Sequence, residues 1–383
     1  MSPAPHPPKI EVECVATRDA FLALEGEWTA LADTASSPLL RYDWFAACLE
    51  AYAADHELAI YLGRRDGRLR AVAPLVVERA GGVRHLRLLG WQTMEPEAFL
   101  YDDEEALEQV CAAALVSHKP VFIRRLDTQS AELRLLQTLA RGRGVSVVRA
   151  ASTQSHATVL QSDWAAMEAS MASKKRSELR RLKTQLEKHG PVTFEVRELN
   201  EAGLDEAFAE LLRVEAASWK SRAETAMASD IELQTFIRTY ARAAARAGIL
   251  RLSFLRVGGQ AIAVQMDMEH GGRLWGLKMG VDEAWSKYAP GILSTHELIR
   301  WAIGRGLERC EHLGTAETWQ RRWPFELREQ STFRFYPPRP AGALALGRDS
   351  LDFARRYLRK RARRQPSKRA SQATLKAETS PQA

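Results

Sequence analysis

The stretch that decides the fold is LRLSFLRVGGQAIAVQMDMEHGGRLWGLKMG, residues 250–280. Its three apolar-rich segments are separated by the dipeptides Gly258-Gly259 and Gly271-Gly272. Glycine pairs accept the positive φ angles that two-residue hairpin turns need, so the pattern predicts three antiparallel strands in sequence.

A second copy of this pattern lies earlier in the chain, in LAIYLGRRDGRLRAVAPLVVERAGGVRHLRLLG, residues 58–90. Its turns fall at Asp66-Gly67 and Gly81-Gly82. The flanking segments match as well, because each copy reads in the order β-α-α-β-β-β-α-β-α-β. The sequence therefore predicts a mixed α/β (α+β) protein with two tandem domains, each a central mixed sheet flanked by helices.

Changes in composition divide the chain into five predicted regions. They are a disordered, Pro-rich lead-in at 1–9, an N-terminal domain at 10–160, a basic connecting helix at 161–189, a C-terminal domain at 190–340, and a basic, partly disordered tail at 341–383. In the connecting helix, Leu179, Leu182 and Leu186 fall on one face and basic residues cover the other. That basic face either borders a cleft between the domains or is exposed to solvent.

Composition and motifs exclude several classes of protein. The 45% hydrophobic and 27% charged content is typical of a globular protein, and no apolar run approaches the roughly 20 residues of a membrane-spanning helix. The N-terminus lacks a signal-peptide pattern, which predicts a cytoplasmic protein, with peripheral contact to the inner membrane as an alternative. The four cysteines lie far apart and the nine histidines form no metal-ligand motif, so we expect no metal.

The basic charge of the chain is concentrated in its tail. From Arg348 to Ala383 there are eleven Lys or Arg and three Asp or Glu, a net charge of +8, whereas the whole chain carries +7. The rest of the chain is therefore close to neutral, which argues against nucleic acid as its partner. The tail either contacts an anionic partner or membrane surface, or is solvated without a specific partner.

The segment YAPGIL, residues 288–293, begins a helix without a capping carboxylate. The first backbone N–H groups of a helix have no partners within it, and the helix dipole favours an anion there. Pro290 stiffens the turn, and Gly291 permits close approach of a ligand to the backbone. Either a phosphate-bearing ligand occupies this N-terminus, or water or Ser286 satisfies it.

Several of these residues carry a resemblance to a known family. The segments EAASWKSR (215–222), GGQAIAVQMDM (258–268) and KYAPGIL (287–293), with the run from Gly314 to Trp323, resemble the GNAT superfamily of acyltransferases. The tandem order is most similar to the CelD/BcsL type, a bacterial group associated with exopolysaccharide and cellulose production. One departure is TAETWQRRW, which lacks the Tyr-Lys pair that relatives often carry before the last Trp. Fem-type aminoacyl transferases are similar in architecture, but more distantly.

The resemblance implies a donor site for acetyl-CoA, or another acyl-CoA, in the second domain. In a GNAT fold the fourth strand separates from the fifth, and the following helix binds the coenzyme A pyrophosphate. The implied contacts are Leu277, Lys278, Met279, Pro290, Gly291, Ile292 and Leu293. At the corresponding place the first domain reads TMEPEAFLYDDEEALEQV, whose carboxylates would repel phosphate, so we expect that domain to be structural or to bind the acceptor.

Acyl transfer needs a base for the acceptor and a proton for the leaving thiolate. The candidate catalytic residues are Glu215 as base, Tyr288 as acid, and His296 as acid or base. Candidates for contacts with the acceptor are Trp219, Lys220, Asp267 and Glu269. Each of these residue types is also common on surfaces or in cores, so the assignments need a structure.

The sequence thus predicts an acetyl-CoA-dependent N- or O-acetyltransferase. Its expected acceptor is a small molecule or glycan precursor, namely an amine or sugar hydroxyl of a cell-envelope or exopolysaccharide precursor. One alternative is a Fem-type transferase that uses aminoacyl-tRNA. Only under this hypothesis is a nucleic acid a partner of the chain. Another is a non-catalytic binding protein of a polysaccharide assembly, in which both copies are degenerate.

Overall fold

The computed structural model describes residues 9–218 and 230–364. The amino-terminal half comprises β1 (Glu11–Val15), α1 (Arg18–Leu22), α2 (Glu25–Ala32), α3 (Tyr42–Tyr52), β2 (Glu57–Arg65), β3 (Arg68–Ala80), β4 (Val83–Leu88), β5 (Leu100–Tyr101), α4 (Glu104–Val116), β6 (Val121–Asp127), α5 (Ala131–Gly142) and β7 (Ser146–Val159). Two helices follow, α6 (Trp164–Ser170) and α7 (Ser173–Glu187).

The carboxyl-terminal half repeats much of this order. It comprises β8 (Val192–Glu198), α8 (Glu201–Ala216), α9 (Ile231–Arg246), β9 (Leu250–Val257), β10 (Gln260–His270), β11 (Arg273–Val281), α10 (Pro290–Gly304), β12 (Arg309–His312), β13 (Phe325–Tyr336) and α11 (Pro340–Arg364). Short 3₁₀ helices occur at Pro38–Leu40, Trp91–Thr93, Glu283–Tyr288 and Thr318–Arg322.

Both predicted strand meanders are present. Strands β2, β3 and β4 pair in antiparallel order, and so do β9, β10 and β11. Both residues of all four turn dipeptides have positive φ, from 52° at Asp66 to 86° at Gly259. The mixed α/β class with helices flanking a large mixed sheet is therefore confirmed.

The sheet is continuous through both halves. Among the described residues it has 13 strands, which include an unbroken path in the order β1-β2-β3-β4-β6-β13-β7-β12-β11-β10-β9-β8, with β5 beside β3. The last strand of each half lies among the strands of the other, because β13 pairs with β6 and β7 pairs with β12. These two strands also pair with each other from Ser146 to Thr158. The predicted boundaries at 160 and 190 stay a prediction, but hydrogen bonds between the halves cross the middle of the sheet.

Helix packing joins the halves a second time. Trp44 of α3 contacts Phe236 and Tyr240 of α9 edge-to-face, with ring centroids 4.9 and 5.0 Å apart. All three side chains are buried, and one apolar cluster contains residues of both halves. Burial of this much aromatic surface favours a fixed arrangement of the two halves.

The connecting segment is amphipathic as predicted, but it consists of the two helices α6 and α7. Leu179, Leu182 and Leu186 of α7 are buried. Arg322 reaches Glu178 of the same helix with an N–O distance of 2.8 Å. This helix is therefore packed on the carboxyl-terminal half.

The predicted lead-in lies almost wholly outside the described residues, whereas the predicted tail is described as far as residue 364. The described part of the tail is the helix α11, and residues 1–8 and 365–383 are not described. Within the described ranges, no helix is long and apolar enough to cross a membrane.

Candidate functional site

A cavity opens where two neighbouring strands separate. Strand β11 pairs in parallel with β12 only from Arg273 to Gly276, opposite Arg309 to His312. Beyond Gly276 the strands diverge, and a cavity of about 520 Å³ fills the gap. Leu277, Lys278 and Met279 line it, as the implied donor contacts require.

The N-terminus of α10 forms one end of this cavity. The residue before the helix, Ala289, has a left-handed backbone (φ 50°, ψ 53°), and no side chain in the described part of the chain caps the helix. Pro290 has no N–H, and the N–H groups of Ile292 and Leu293 donate to the carbonyl oxygen of Ala289 at 3.0 and 3.2 Å. The N–H of Gly291 is the remaining first-turn donor, and it has no acceptor within residues 9–218 and 230–364. This end of the cavity is suited to an anion.

The predicted donor contacts at α10 divide into two groups. Pro290, Gly291 and Ile292 line the cavity, whereas Leu293 is buried in an apolar cluster and does not line it. An added Cβ on Gly291 would lie 3.1 Å from both Met279 Sδ and Val281 Cγ2. Glycine therefore lets the first turn of α10 pack tightly against β11.

The floor of the cavity brings together Asp267, Gly276 and His312. They lie side by side on β10, β11 and β12, because Asp267 pairs with Gly276 and Gly276 pairs with His312. A shift of register between Met266 and Asp267 sets this alignment. An added Cβ on Gly276 would lie 3.2 Å from Asp267 Oδ1, so glycine leaves room for the carboxyl group.

Asp267 is a buried acid that faces this cavity. Its side chain lines the cavity, only 3% of the residue is exposed, and Oδ2 has no hydrogen-bond partner in the described part of the chain. Burial raises the pKa of Asp267 well above its ordinary value. The carboxyl group is thereby favoured in its protonated form, which can donate a proton.

His312 is a site residue that the sequence analysis did not identify. Burial and, to a smaller extent, neighbouring His156 lower the pKa of His312 to about 3, so the ring is neutral. Its Nε2 lies 3.0 Å from Thr158 Oγ1 of β7. In the sequence it stands within RCEHL as a lone histidine, and only the strand register shows that it borders the cavity.

Cys310 also lines the cavity, but it is not an activated nucleophile. Burial strongly raises the pKa of its thiol, with further upward contributions from Asp267 and Glu311. A thiol held protonated in this way is a poor nucleophile. Within the described residues, no group of His, Cys, Asp and Glu side chains could hold a metal ion.

A polar cluster lies beside the opposite wall. Glu215, at the end of α8, is 1% exposed, and its Oε1 lies 3.7 Å from Nζ of Lys278. Helix α8 packs closely here, because an added Cβ on Gly280 would meet the Cα of Glu215 at 3.2 Å. Lys278 and Ser218 line the cavity, so Glu215 contacts its wall through Lys278. Glu215 itself does not line the cavity, and Lys278 connects its carboxyl group to the lining.

Three other predicted residues do not line the cavity. The hydroxyl of Tyr288 lies 2.5 Å from Nε2 of His189. His296 accepts from Trp323 Nε1 at 3.4 Å, and burial lowers its pKa. Glu269 binds Arg251 at 2.8 Å. Trp219 and Lys220 lie outside the described residues.

The amino-terminal half contacts residues that line the cavity. Arg125 of β6 has a left-handed backbone, with φ of 47°. It donates to the carbonyl oxygens of Leu313 and Gly314 at 2.5 and 3.1 Å, and both of these residues line the cavity. A smaller cavity of about 150 Å³ lies between the halves and shares Glu311 and His312 with the larger one.

The first half has no counterpart of the open helix terminus. Its corresponding helix, α4, is capped by Asp103, which accepts from the N–H groups of Glu105 and Ala106 at 2.9 and 3.1 Å. Glu104 and Glu105 add negative charge to the first turn. An anionic ligand is disfavoured there, as predicted from the sequence.

Comparisons with known proteins agree with this geometry. Residues 173–321 match the model of the acetyltransferase (GNAT) domain family. That range begins with α7 and ends in the 3₁₀ helix Thr318–Arg322, so it contains both strands whose separation opens the cavity. No curated protein shows significant sequence similarity to the chain.

Solved structures with the same overall fold include three that align over most of this chain. The crystal structure of FemX is 12% identical, with a TM-score of 0.56, and the alignment covers 84% of this chain and 96% of FemX. A protein of unknown function from Bacteroides thetaiotaomicron is 12% identical, with a TM-score of 0.54 and coverage of 85% and 99%. A C-terminal domain of the DUF2156 type from Agrobacterium fabrum is 13% identical, with a TM-score of 0.51 and coverage of 86% and 96%. At these identities the likeness concerns the fold alone.

Proposed function

We propose that this protein is an acyl-CoA-dependent acyltransferase and that the acyl group it transfers is acetyl. The observation that carries the proposal is the cavity between β11 and β12, which ends at the uncapped N-terminus of α10. The proposed acceptor is an amine or a sugar hydroxyl of a cell-envelope or exopolysaccharide precursor, in keeping with the resemblance to the CelD/BcsL type. Because acyl-CoA is a cytoplasmic donor, the reaction would take place in the cytoplasm.

The donor would lie along the gap between the two strands. The pyrophosphate would accept a hydrogen bond from the N–H of Gly291, where the helix dipole adds to its stabilisation. The pantetheine arm would then pass between β11 and β12. Leu277, Lys278 and Met279 line the cavity beyond the last residue pair of β11 and β12, Gly276 with His312, and their backbone groups would contact the pantetheine and the thioester oxygen.

Direct transfer would use the two walls of the cavity. The acceptor nitrogen or oxygen attacks the thioester carbonyl, and its proton passes to the carboxylate of Glu215. As the new C–N or C–O bond forms, the C–S bond breaks and the sulfur takes a proton from Asp267. Return of a proton to Asp267 and release of one from Glu215 restore the starting state. Lys278, 3.7 Å from Glu215, would orient that base.

Asp267 is better situated for the acid role than Tyr288. Asp267 lines the cavity and is favoured in its protonated form, whereas the Tyr288 hydroxyl is directed to His189. The role of Tyr288 as an acid stays a prediction. His296 and Glu269 likewise stay predictions, and neither borders the proposed path of the donor.

Titration calorimetry with acetyl-CoA and with S-acetyl-pantetheine tests the donor proposal. We expect one acetyl-CoA per chain and at least tenfold weaker binding of S-acetyl-pantetheine, which lacks the pyrophosphate. Release of free CoA thiol in the presence of amine and sugar acceptors would then identify the acceptor class. Binding of aminoacyl-tRNA without acetyl-CoA binding would favour a Fem-type transferase, and binding of neither would favour a non-catalytic protein.

A further inference from the structure

The first part of α11 is fixed to the end of the sheet. Ala345 is buried in a cluster with Val83 and Phe122 of the amino-terminal half. Asp349 accepts from the Tyr336 hydroxyl at 2.5 Å and pairs with Arg334 at 2.6 Å. The direction in which the helix leaves the body is therefore set by buried and charged contacts.

The next part of α11 exposes large apolar side chains. Every described side chain from Ser350 to Arg359 is exposed, including Leu351 at 60% and Leu358 at 61%. Leu344, Leu351 and Leu358 are seven residues apart, so they form one stripe along the helix. Phe353 and Tyr357 are also exposed and stack on each other with ring centroids 6.5 Å apart. Such surface is costly to leave in water, and it marks an interaction site.

The same helix is strongly basic. Residues 340–364 contain eight Lys or Arg and two Asp. One of the two acids, Asp349, is already paired with the body of the protein. Arg355, Arg356 and Arg359 lie within the exposed part, between the apolar side chains. The free surface of α11 thus combines apolar side chains with an excess of positive charge.

We propose that α11 binds the surface of an anionic lipid bilayer, lying in the plane of the interface. Leu344, Leu351 and Leu358 would enter the boundary between headgroups and acyl chains, and the arginines would meet lipid phosphates. Charge complementarity favours an anionic bilayer as the partner of α11. A basic helix with exposed Leu, Phe and Tyr is typical of helices that lie in the membrane interface.

Two other occupants fit these observations less well. Pairing with α11 of a second copy would bring two positively charged helices together. It would also place Gly347 and Ala354 where a coiled coil needs larger apolar residues. RNA would attract the arginines, but it would leave the leucine stripe unexplained. Anionic lipid accounts for both the charge and the apolar surface.

Flotation of the full chain with vesicles tests the proposal. We expect binding to vesicles of phosphatidylcholine and phosphatidylglycerol at a 7:3 ratio, and at least tenfold weaker binding to pure phosphatidylcholine. Raising the salt should weaken binding to the anionic vesicles, because part of the attraction is screened.

Matched variants separate insertion from simple charge attraction. The double variant Leu351→Ser/Leu358→Ser should lose at least tenfold in vesicle binding, and Arg355→Gln/Arg356→Gln/Arg359→Gln should lose a similar factor. Leu22→Ser, which changes an exposed leucine of α1, is the control and should bind like wild type. All substituted side chains are exposed, so folding should be retained, and circular dichroism would check this.

The contrary outcomes are equally specific. Unchanged vesicle binding by the double leucine variant would overturn insertion of the apolar stripe. Absence of vesicle binding, together with tight RNA binding that ignores the leucines, would identify nucleic acid as the partner. A lipid-free dimer that only the leucine variant dissociates would identify a second copy. Acetyl-CoA binding should be equal in all these variants, so this test is independent of the proposed catalytic function.

Discussion

Arg125, in the amino-terminal half, donates a hydrogen bond of 2.5 Å to the carbonyl oxygen of Leu313 in the carboxyl-terminal half. The same guanidinium group also donates to the carbonyl oxygens of Gly314 and Met94. These bonds connect the loop after β12 to a loop of the other half. The amino-terminal half, whose corresponding helix α4 is capped by Asp103, therefore helps to shape the cavity rim.

Replacing Arg125 by Lys should lower turnover by roughly 10- to 100-fold, with little change in acetyl-CoA affinity. A lysine ammonium cannot reproduce the planar fork that reaches several carbonyl oxygens at once. The rim should therefore lose its fixed position, while the donor end at α10 stays intact. Steady-state kinetics together with calorimetry would measure the two effects separately.

Arg124→Lys is the matched control. Arg124 is the neighbouring residue, but it contacts Trp91 and Met94 of its own half. Equal losses in the two variants would mean that Arg125 acts only on the stability of the amino-terminal half, and the proposed role at the rim would be wrong.

Gly291→Asp should weaken acetyl-CoA binding more than Gly291→Asn does. The two side chains have nearly the same size, so both meet the 3.1 Å contacts with Met279 and Val281. They differ in charge, and a carboxylate at the helix N-terminus would repel the pyrophosphate. We expect a difference of about 1–3 kcal/mol in binding free energy, reduced by added salt.

Alanine is a less useful control at this position, because it shares the crowded Cβ with aspartate but not the rest of the side chain. If the Asp and Asn variants bind acetyl-CoA equally, the N-terminus of α10 does not face the phosphates. The main physical support for the proposed donor site would then be lost.

The local features of the fold could be predicted from the sequence, but its long-range pairing could not. Turn dipeptides and an uncapped helix start can be recognised from a few consecutive residues, and the structure has both. The predicted strands VSVVRA and STFRFYP, in contrast, are only parts of β7 and β13. Their remaining segments, 151–159 and 325–330, are rich in polar residues and lack a clear apolar alternation. They pair with partners more than 150 residues away, which no local pattern reports.

The candidate site shows the same division. The helix start without a side-chain cap at Gly291 could be predicted because a missing cap is a local property. The alignment of Asp267 with His312 depends on two strand registers and on the shift at Met266. A sequence assigns neither register, so His312 could not be selected from among nine histidines.

Glu215→Gln should lower turnover by about a hundredfold or more, because glutamine cannot accept the proton of the acceptor. Acetyl-CoA affinity should change little, since Glu215 lies on the wall away from α10. Glu206→Gln, an exposed change on the same helix α8, is the control and should keep full activity. Wild-type activity of Glu215→Gln across the pH range would exclude Glu215 as the base and make its ion pair with Lys278 a structural one.

Asp267→Asn should stabilise the protein at neutral pH and at the same time slow the reaction. The unfolded chain releases the Asp267 proton near pH 4, whereas burial raises the pKa of this group in the folded state. At a pH between these two pKa values, folding must therefore take up a proton that the unfolded chain has lost. The free energy of unfolding of the wild type consequently falls as the pH rises through this interval. The relative gain of the variant should grow by about 1.4 kcal/mol for each pH unit of that interval and be absent below pH 4. Urea unfolding at several pH values would measure this gain in stability. The turnover of the variant should fall, because an amide cannot protonate the leaving thiolate. A stability difference independent of pH would mean that Asp267 is ionised in the folded protein, and it could not then be the acid.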